Sequence, residues 1–114
     1  MAVTVQKVQD CFFVTASGCL DVADCRQLRH AIATAKEAGI HNVLVDCDRL
    51  ESVTTDALRE VLSQTSRAEV EGVNLLFYGV QPHIQGIIDK TGLNSVLHIV
   101  QGLQQAYSYC RRHP

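Results

Sequence analysis

The stretch Val43-Leu-Val-Asp-Cys-Asp-Arg-Leu-Glu-Ser-Val-Thr-Thr-Asp-Ala-Leu58 joins a short apolar run to the start of an amphipathic segment. Because it lies between two helical patterns, the run Val43-Leu44-Val45 is typical of a central strand that is covered on both faces. The next residues carry four acids, one arginine and three hydroxyls, after which apolar side chains recur at helical spacing. The stretch therefore predicts a buried strand, a polar loop over Asp48–Asp56 and a helix over residues 55–70.

The segment before this stretch predicts a pair of strands. Residues Val3–Val8 alternate apolar with polar side chains, which suits a half-buried strand, and Cys11–Ala16 is rich in Phe and Val. The short connection Gln9-Asp10 favours an antiparallel hairpin between them. Gly18 is expected to break the second strand, because a glycine weakens the interior of a strand.

Two helical patterns flank the central strand. The first is expected to begin after Asp21, because its carboxylate can accept from the free N–H groups of the next turn, and to end at Gly39 as a C-cap. The residues on its apolar face are Cys25, Leu28, Ile32 and Ala35. The inward face of the second helix is formed by Leu58, Val61, Leu62 and Thr65.

The C-terminal third continues the alternation of strands and helices. Val73–Tyr78 is typical of a buried strand, and Val96–Val100 predicts a short one. The helix between them is marked by Ile84, Ile87 and Ile88 and is expected to end at Gly92. A final amphipathic helix is marked by Leu103, Ala106, Tyr107 and Cys110.

The predicted order is ββαβαβαβα, which describes an α/β fold with four helices and a mixed, largely parallel five-stranded sheet. With 114 residues and no linker or repeat, the chain is expected to form a single domain over residues 1–114. Ligands and partners of such sheets gather at the carboxyl ends of the strands. The loops expected there are Gly18–Asp21, Asp48–Asp56 and Gly79–His83.

Composition limits the classes of partner. The chain has 10 Lys and Arg against 12 Asp and Glu, so the basic footprint of a nucleic-acid-binding protein is missing. No secretory leader or membrane-spanning stretch is recognised. Five irregularly spaced cysteines and no CxxC motif favour reduced thiols in a cytoplasmic protein over a disulfide framework. We therefore expect a domain that meets proteins or small ligands, without nucleic acid or membrane insertion.

Few residues indicate catalysis. The sequence has no phosphate-binding glycine loop, no nucleophile elbow and no HExxH motif, and its histidines are scattered. Cys110 and His113 stand at a ligand spacing, but two ligands are too few for a zinc site. A nucleophilic Cys47 would need a cation or a helix terminus to lower its pKa, and a core thiol is the favoured interpretation. We expect a protein that is not an enzyme and uses no metal or cofactor.

Three polar residues, Thr54, Thr55 and Asp56, fall together at the expected start of the second helix. Free N–H groups and the helix macrodipole favour oxygen atoms and negative charge at that position. Capping is the favoured interpretation, yet capping requires only one of the three. A phosphorylation site is the alternative, because a phosphate there would add about −1.5 to −2 charge and could repel an acidic partner.

Several motifs in order resemble the STAS domain family, which is named for sulfate transporters and bacterial anti-sigma-factor antagonists. Ser17-Gly-Cys-Leu-Asp21 resembles the family's G-x-L-D, and Val43-Leu-Val-Asp46 leading to Leu58 resembles its strand, D-S-S-G-L and helix. Gly79-Val-Gln-Pro82, followed by Ile87-Ile-Asp-Lys-Thr-Gly-Leu93, resembles the segment after its fourth strand. The resemblance covers nearly the whole chain and implies the STAS fold.

The resemblance implies a partner switch in transcription regulation. The family's free domain binds an anti-sigma factor, often a serine/threonine kinase, and so releases a sigma factor. Phosphorylation of the second serine of D-S-S-G ends the binding, and a metal-dependent serine phosphatase restores it. The implied contact surface of this chain consists of Asp21, Arg49, Glu51, Ser52, Arg59 and Glu60.

The chain departs from the family at the phosphorylated motif. Thr54, Thr55, Asp56 and Ala57 stand where the family has D-S-S-G, so the acceptor serine is replaced by Asp56. Two interpretations stay open: Asp56 mimics the phosphorylated state, or Thr55 or Thr54 serves as the phosphoacceptor. The family also suggests a regulatory subunit of a lipid-transport ATPase, contacted through Thr55, and a nucleotide-binding STAS domain.

Overall fold

The computed structural model describes residues 3–8, 11–92 and 95–112. Strands and helices alternate in the predicted order ββαβαβαβα. The strands are β1 (Val3–Val8), β2 (Cys11–Leu20), β3 (Asn42–Val53), β4 (Asn74–Tyr78) and β5 (His98–Val100). The helices are α1 (Val22–Glu37), α2 (Thr55–Val70), α3 (Pro82–Thr91) and α4 (Leu103–Arg112).

The five strands form one sheet in the order β1-β2-β3-β4-β5. β1 and β2 pair antiparallel, which confirms the predicted hairpin, while its connection Gln9-Asp10 lies outside the described residues. Every later pair is parallel, as expected for strands joined by helical crossovers. The carboxyl ends of β2, β3, β4 and β5 therefore share one edge of the sheet.

Helices cover both faces of the sheet, but unequally. On one face, α1, α2 and α3 pack on alternate residues of the strands, such as Val43, Val45 and Phe77. On the other face, Ala106 of α4 packs in a smaller cluster with Leu44 of β3. The continuous apolar run of β3 is therefore explained, because successive side chains enter two different cores.

Two strands extend further than the sequence indicates. The sequence predicts that Gly18 ends β2, but β2 runs to Leu20 and β3 runs to Val53. The extensions pair with each other, and two register irregularities, between Thr15 and Ser17 and between Gly18 and Cys19, absorb the positive φ of Gly18. The loops predicted over Gly18–Asp21 and Asp48–Asp56 are therefore mostly strand, and those two predictions are wrong.

The structure also differs from the sequence prediction in the length of β5 and in the burial of apolar residues before β5 and on α3 and α4. The predicted strand Val96–Val100 is reduced to His98–Val100, and Val96 is 47% exposed. Ile87, Leu103 and Tyr107 lie on their predicted helices but face outward in part. Part of each of these apolar side chains stays in contact with water, as is common for apolar residues at the surface of a folded protein.

Candidate partner-binding site

β2 and β3 each extend beyond the predicted strand end, β2 over residues 17–20 and β3 over residues 48–53. These extensions bring the starts of α1 and α2 together. β4 pairs with β3 only as far as Asp46, so beyond that point β3 has β2 as its neighbour on one side. The N–H of Thr54 donates to the carbonyl of Leu20 at 3.1 Å. The first residues of both helices therefore lie side by side at the carboxyl edge of the sheet.

Side chains from the start of α3 cover the other side of the β3 extension. Gln81 Nε2 donates to the carbonyl of Asp48 at 2.7 Å, and His83 Nε2 donates to the carbonyl of Glu51. Gly79 sits so close to Asp48 that a Cβ at this position would overlap the carboxylate. The β4–α3 connection thus takes the place of a missing strand beside residues 48–51.

The first turn of α2 points its polar groups outward. Thr54 has extended φ and ψ angles, and its Oγ1 accepts from the N–H of Ala57 at 3.1 Å, so Thr54 is the N-cap. Thr55 and Asp56 are both exposed. The Asp56 carboxylate lies 3.5 Å from the Arg59 guanidinium, and both side chains are 76% exposed. Capping is confirmed for Thr54 alone, which leaves the hydroxyl of Thr55 and the carboxylate of Asp56 toward solvent.

The start of α1 is acidic and rigidly capped. Asp21 Oδ1 accepts from the N–H of Asp24 at 3.0 Å, and Asp24 Oδ2 accepts from the N–H of Asp21 at 3.1 Å. The backbone N–H of Asp24 stabilises the charged carboxylate and lowers the pKa of Asp21. Val22 follows as a half-exposed apolar side chain. This end of α1 therefore presents negative charge with one apolar contact.

Polar contacts tie α1 and α2 to each other behind the exposed turns. Gln64 is buried, and its Nε2 donates to the carbonyl of Cys25 at 2.8 Å and to Glu60 Oε1 at 3.3 Å. Glu60 also lies 3.8 Å from Arg29. A buried glutamine on an apolar helix face gives no periodic signal, so the sequence did not indicate it. Its contacts hold the two helix starts in one arrangement.

The structure brings the residues of the predicted contact surface to one edge of the molecule. Asp21, Arg49, Glu51, Ser52 and Arg59 are exposed, whereas Glu60 is half-buried between the helices. Gln81 and His83, which hold the β3 extension, were missed as individual residues. The sequence predicts that their loop lies at this edge, but it does not reveal their role, because the backbone carbonyls they contact belong to residues more than thirty positions away.

The Cys47 thiol lies in the larger hydrophobic core. Burial, followed by the charge of Asp46, raises the pKa of Cys47 to about 12, and the Cys47 thiol donates to the carbonyl of Val45. The core thiol interpretation of Cys47 is therefore confirmed. Within residues 3–8, 11–92 and 95–112, no group of three or more His, Cys, Asp or Glu side chains could hold a metal ion. His113, which stands at a ligand spacing from Cys110 in the sequence, lies outside these residues.

Over the part of the chain that the structure describes, none of the helices combines the length and the apolar character needed to span a membrane.

The sequence of this chain is similar to the sequences of known proteins. A family model described as "Mlab, STAS domain" matches residues 3–101. A candidate anti-sigma factor antagonist named BtrV, from Bordetella bronchiseptica, is 22% identical over 106 residues, which are 93% of this chain and 91% of that protein.

Solved structures show the same fold. The anti-sigma factor antagonist SpoIIAA in its unphosphorylated form has a TM-score of 0.71 at 16% identity, with 99% of this chain and 100% of that chain covered. SpoIIAA of Bacillus in the phosphorylated form has a TM-score of 0.69 at 18% identity, with coverages of 96% and 99%. RsbS of Moorella thermoacetica with a serine-to-glutamate substitution has a TM-score of 0.78 at 19% identity, with coverages of 98% and 97%.

Proposed function

The chain belongs to the STAS domain family, and from this we propose that it is a non-enzymatic signalling protein, an anti-sigma-factor antagonist of a partner-switching pathway. The proposal extends the family assignment to one domain over residues 1–114 that acts in the cytoplasm. The observation that carries it is the outward-facing first turn of α2, where Thr55 and Asp56 stand beside the start of α1. The similarity to BtrV supports the same class of function.

The proposed contact surface is the edge formed by the β3 extension and the two helix starts. Arg49, Glu51 and Ser52 come from β3, Asp21 from the α1 cap, and Arg59 from the first turns of α2. The proposed partner is an anti-sigma factor or a serine/threonine kinase of that class, with a metal-dependent serine phosphatase as a further component. Glu60 contributes by fixing α2 against α1 through Arg29 and Gln64.

The charge state of this surface is fixed rather than switched at residue 56. Asp56 cannot accept a phosphate from a serine kinase, and it carries about −1 where a phosphoserine carries about −1.5 to −2. Its ion pair with Arg59 offsets part of that charge. If the chain is phosphorylated, Thr55 is the favoured acceptor, because its neighbour Thr54 already uses its hydroxyl as the cap of α2.

A binding measurement tests the proposal. The anti-sigma factor or kinase encoded nearest to this gene is purified and titrated with the chain by calorimetry. We expect Arg49→Glu and Arg59→Glu to weaken binding at least about tenfold, the effect of losing one well-formed contact in the centre of an interface. Arg112→Glu is the matched control, because Arg112 is an exposed arginine in the last turn of α4, and that turn packs near the start of β2, at the other edge of the sheet from the two helix starts. Equal binding by all three variants, or none by the unchanged protein, contradicts the proposal.

A kinase assay tests the assignment of residue 56. Asp56→Ser creates a serine at the family's acceptor position, so mass spectrometry after incubation with the kinase is expected to show one phosphate on residue 56. Asp56→Asn, which has no hydroxyl and no charge, is the control. A phosphate that appears on Thr55 in both variants would identify Thr55 as the acceptor. If Asp56→Ser binds the kinase but gains no phosphate, the assignment of residue 56 is wrong.

A second candidate function is the regulatory subunit of a lipid-transport ATPase. It is favoured by the description of the matching family model, "Mlab, STAS domain", and by the exposed threonine at the start of α2. In that case an ATPase subunit would bind the chain, and Thr55→Arg would abolish the binding, while the anti-sigma factor titration would give no heat.

A further inference from the structure

Helix α4 lies over the second face of the sheet with its last turn near the start of β2. The rings of Phe13 and Tyr107 are 5.7 Å apart, which fixes the position of the helix along the strand. Cys11 precedes Phe13 by two residues and therefore points to the same face, and Cys110 follows Tyr107 by one helical turn. Both cysteines belong to the same buried cluster, and their thiols share a hydrogen bond.

We propose that Cys11 and Cys110 form a reversible disulfide that fastens α4 to the sheet when the protein meets an oxidised small-molecule disulfide such as glutathione disulfide. One cysteine thiolate attacks a sulfur of the reagent, which forms a mixed disulfide and releases one small thiolate. The second cysteine thiolate then attacks the protein sulfur of that mixed disulfide and releases the other thiolate. Two electrons pass from the protein to the reagent, and the two released thiolates take up the two protons that the cysteines lost.

The other cysteines are placed differently. Cys25 and Cys47 lie in the core of the opposite face, where their thiols contact the carbonyls of Ala57 and Val45. Cys19 is exposed near the carboxyl end of β2, and Cys11 begins the same strand at its other end. The pair formed by Cys11 and Cys110 is therefore the one in which two thiols already meet.

Access to the pair depends on opening of the last turn of α4. Burial raises the pKa of Cys110 to about 12, so the closed protein contains little thiolate and reacts slowly. A helix end frays at low free energy, and opening there exposes Cys110 to the reagent. When the turn closes again, the mixed disulfide on Cys110 comes within reach of Cys11, whose thiolate then attacks the Cys110 sulfur. The two cysteines lie near the start of β2, at the other edge of the sheet from the proposed contact surface, so the bond is expected to leave that surface accessible.

Peptide mapping of the oxidised protein tests the proposal. The full chain is equilibrated with glutathione disulfide, quenched with an alkylating reagent and digested. We expect an intact mass lower by two hydrogen atoms in the fraction without adduct, and one linked peptide pair that contains Cys11 and Cys110. Cys19→Ser is expected to form the same link, whereas Cys110→Ser is expected to keep a glutathione adduct on Cys11 or stay reduced.

The melting temperature gives a second readout. Because the bond closes nearly the entire chain into one loop, oxidation is expected to raise the melting temperature by at least about 5 °C, and a reductant is expected to reverse the shift. Cys110→Ala replaces Cys110→Ser if the serine variant does not fold. Persistent adducts on both cysteines, a link through Cys19, or a Cys11–Cys110 link that lowers the melting temperature would overturn the proposal.

Discussion

Thr54 and Thr55 are neighbours of the same type, but the structure gives them different roles. Thr54 Oγ1 accepts from the N–H of Ala57, whereas Thr55 is exposed at the first position of α2. We expect Thr54→Ala to lower the free energy of unfolding by about 0.5–2 kcal/mol, because one free N–H loses its partner. Thr55→Ala is expected to change it by less than about 0.5 kcal/mol, as for most surface substitutions. Urea unfolding of both variants measures the difference.

The control for this pair is Thr54→Ser, which keeps the capping hydroxyl and is expected to retain most of the stability. If Thr55→Ala were the costly change, the helix would begin one residue later than the structure shows. The choice of Thr55 as the phosphoacceptor candidate would then fail as well, because it depends on Thr54 being the cap.

The extension of β3 is held on one side by side chains from the start of α3 instead of by a neighbouring strand. Gln81 and His83 donate to the carbonyls of Asp48 and Glu51, on the side where β4 has ended. We expect Gln81→Ala and His83→Ala to speed amide hydrogen exchange over residues 49–54, by about 2- to 10-fold for each lost hydrogen bond. Mass spectrometry of the exchanged peptides measures this in the protein alone, without any partner.

Gln85→Ala is the matched control for that experiment. Gln85 donates to Asp89 at 3.0 Å within α3, so its loss leaves the β3 carbonyls untouched. Unchanged exchange in Gln81→Ala and His83→Ala would show that pairing with β2 alone holds the extension. Faster exchange, combined with weaker binding of the proposed partner, would make these two residues positioning residues of the contact surface.

The cap of α1 makes stability depend on pH. Hydrogen bonding to the Asp24 backbone lowers the pKa of Asp21 below its ordinary 3.8 in the folded protein. The charged carboxylate therefore contributes stability above that ordinary value, and the contribution is lost as the pH falls through the lowered pKa. Asp21→Asn keeps an acceptor but does not titrate, so its free energy of unfolding is expected to fall less steeply in acid. Urea unfolding from neutral pH to below 3.8 tests this, and parallel curves for both proteins would contradict it.

Across the whole fold, local sequence patterns predicted the helices and strands. Contacts between distant segments decided how far β2 and β3 extend and where α4 packs. The sequence predicted the buried strand at Val43–Val45, the cap at Asp21 and the apolar face of α2. Each of these features depends only on residues that are close together in the chain. The extensions past Gly18 and Asp48 could not be predicted, since each exists by pairing with a segment about thirty positions away. The contact of Cys11 with Cys110 joins the two ends of the chain, and only the path of α4 creates it.

The unequal helix layers lead to a prediction about α4. Leu44 and Leu76 are fully buried beneath it, although it contributes only Ala106 and Cys110 as buried residues. Removing α4 in a chain that ends at Gly102 would expose both leucines, and each buried leucine contributes about 1.5–3 kcal/mol. Together they approach the total stability of many small domains, about 5–15 kcal/mol. We therefore expect the shortened chain to bind a hydrophobic dye, lose its cooperative urea transition and self-associate in sedimentation.

The control for the shortened chain is Leu103→Ala in the full chain. Leu103 is 41% exposed, so its truncation is expected to keep a cooperative transition with little dye binding. A shortened chain that unfolds at the same urea concentration as the full chain would show that α1, α2 and α3 stabilise the sheet without help.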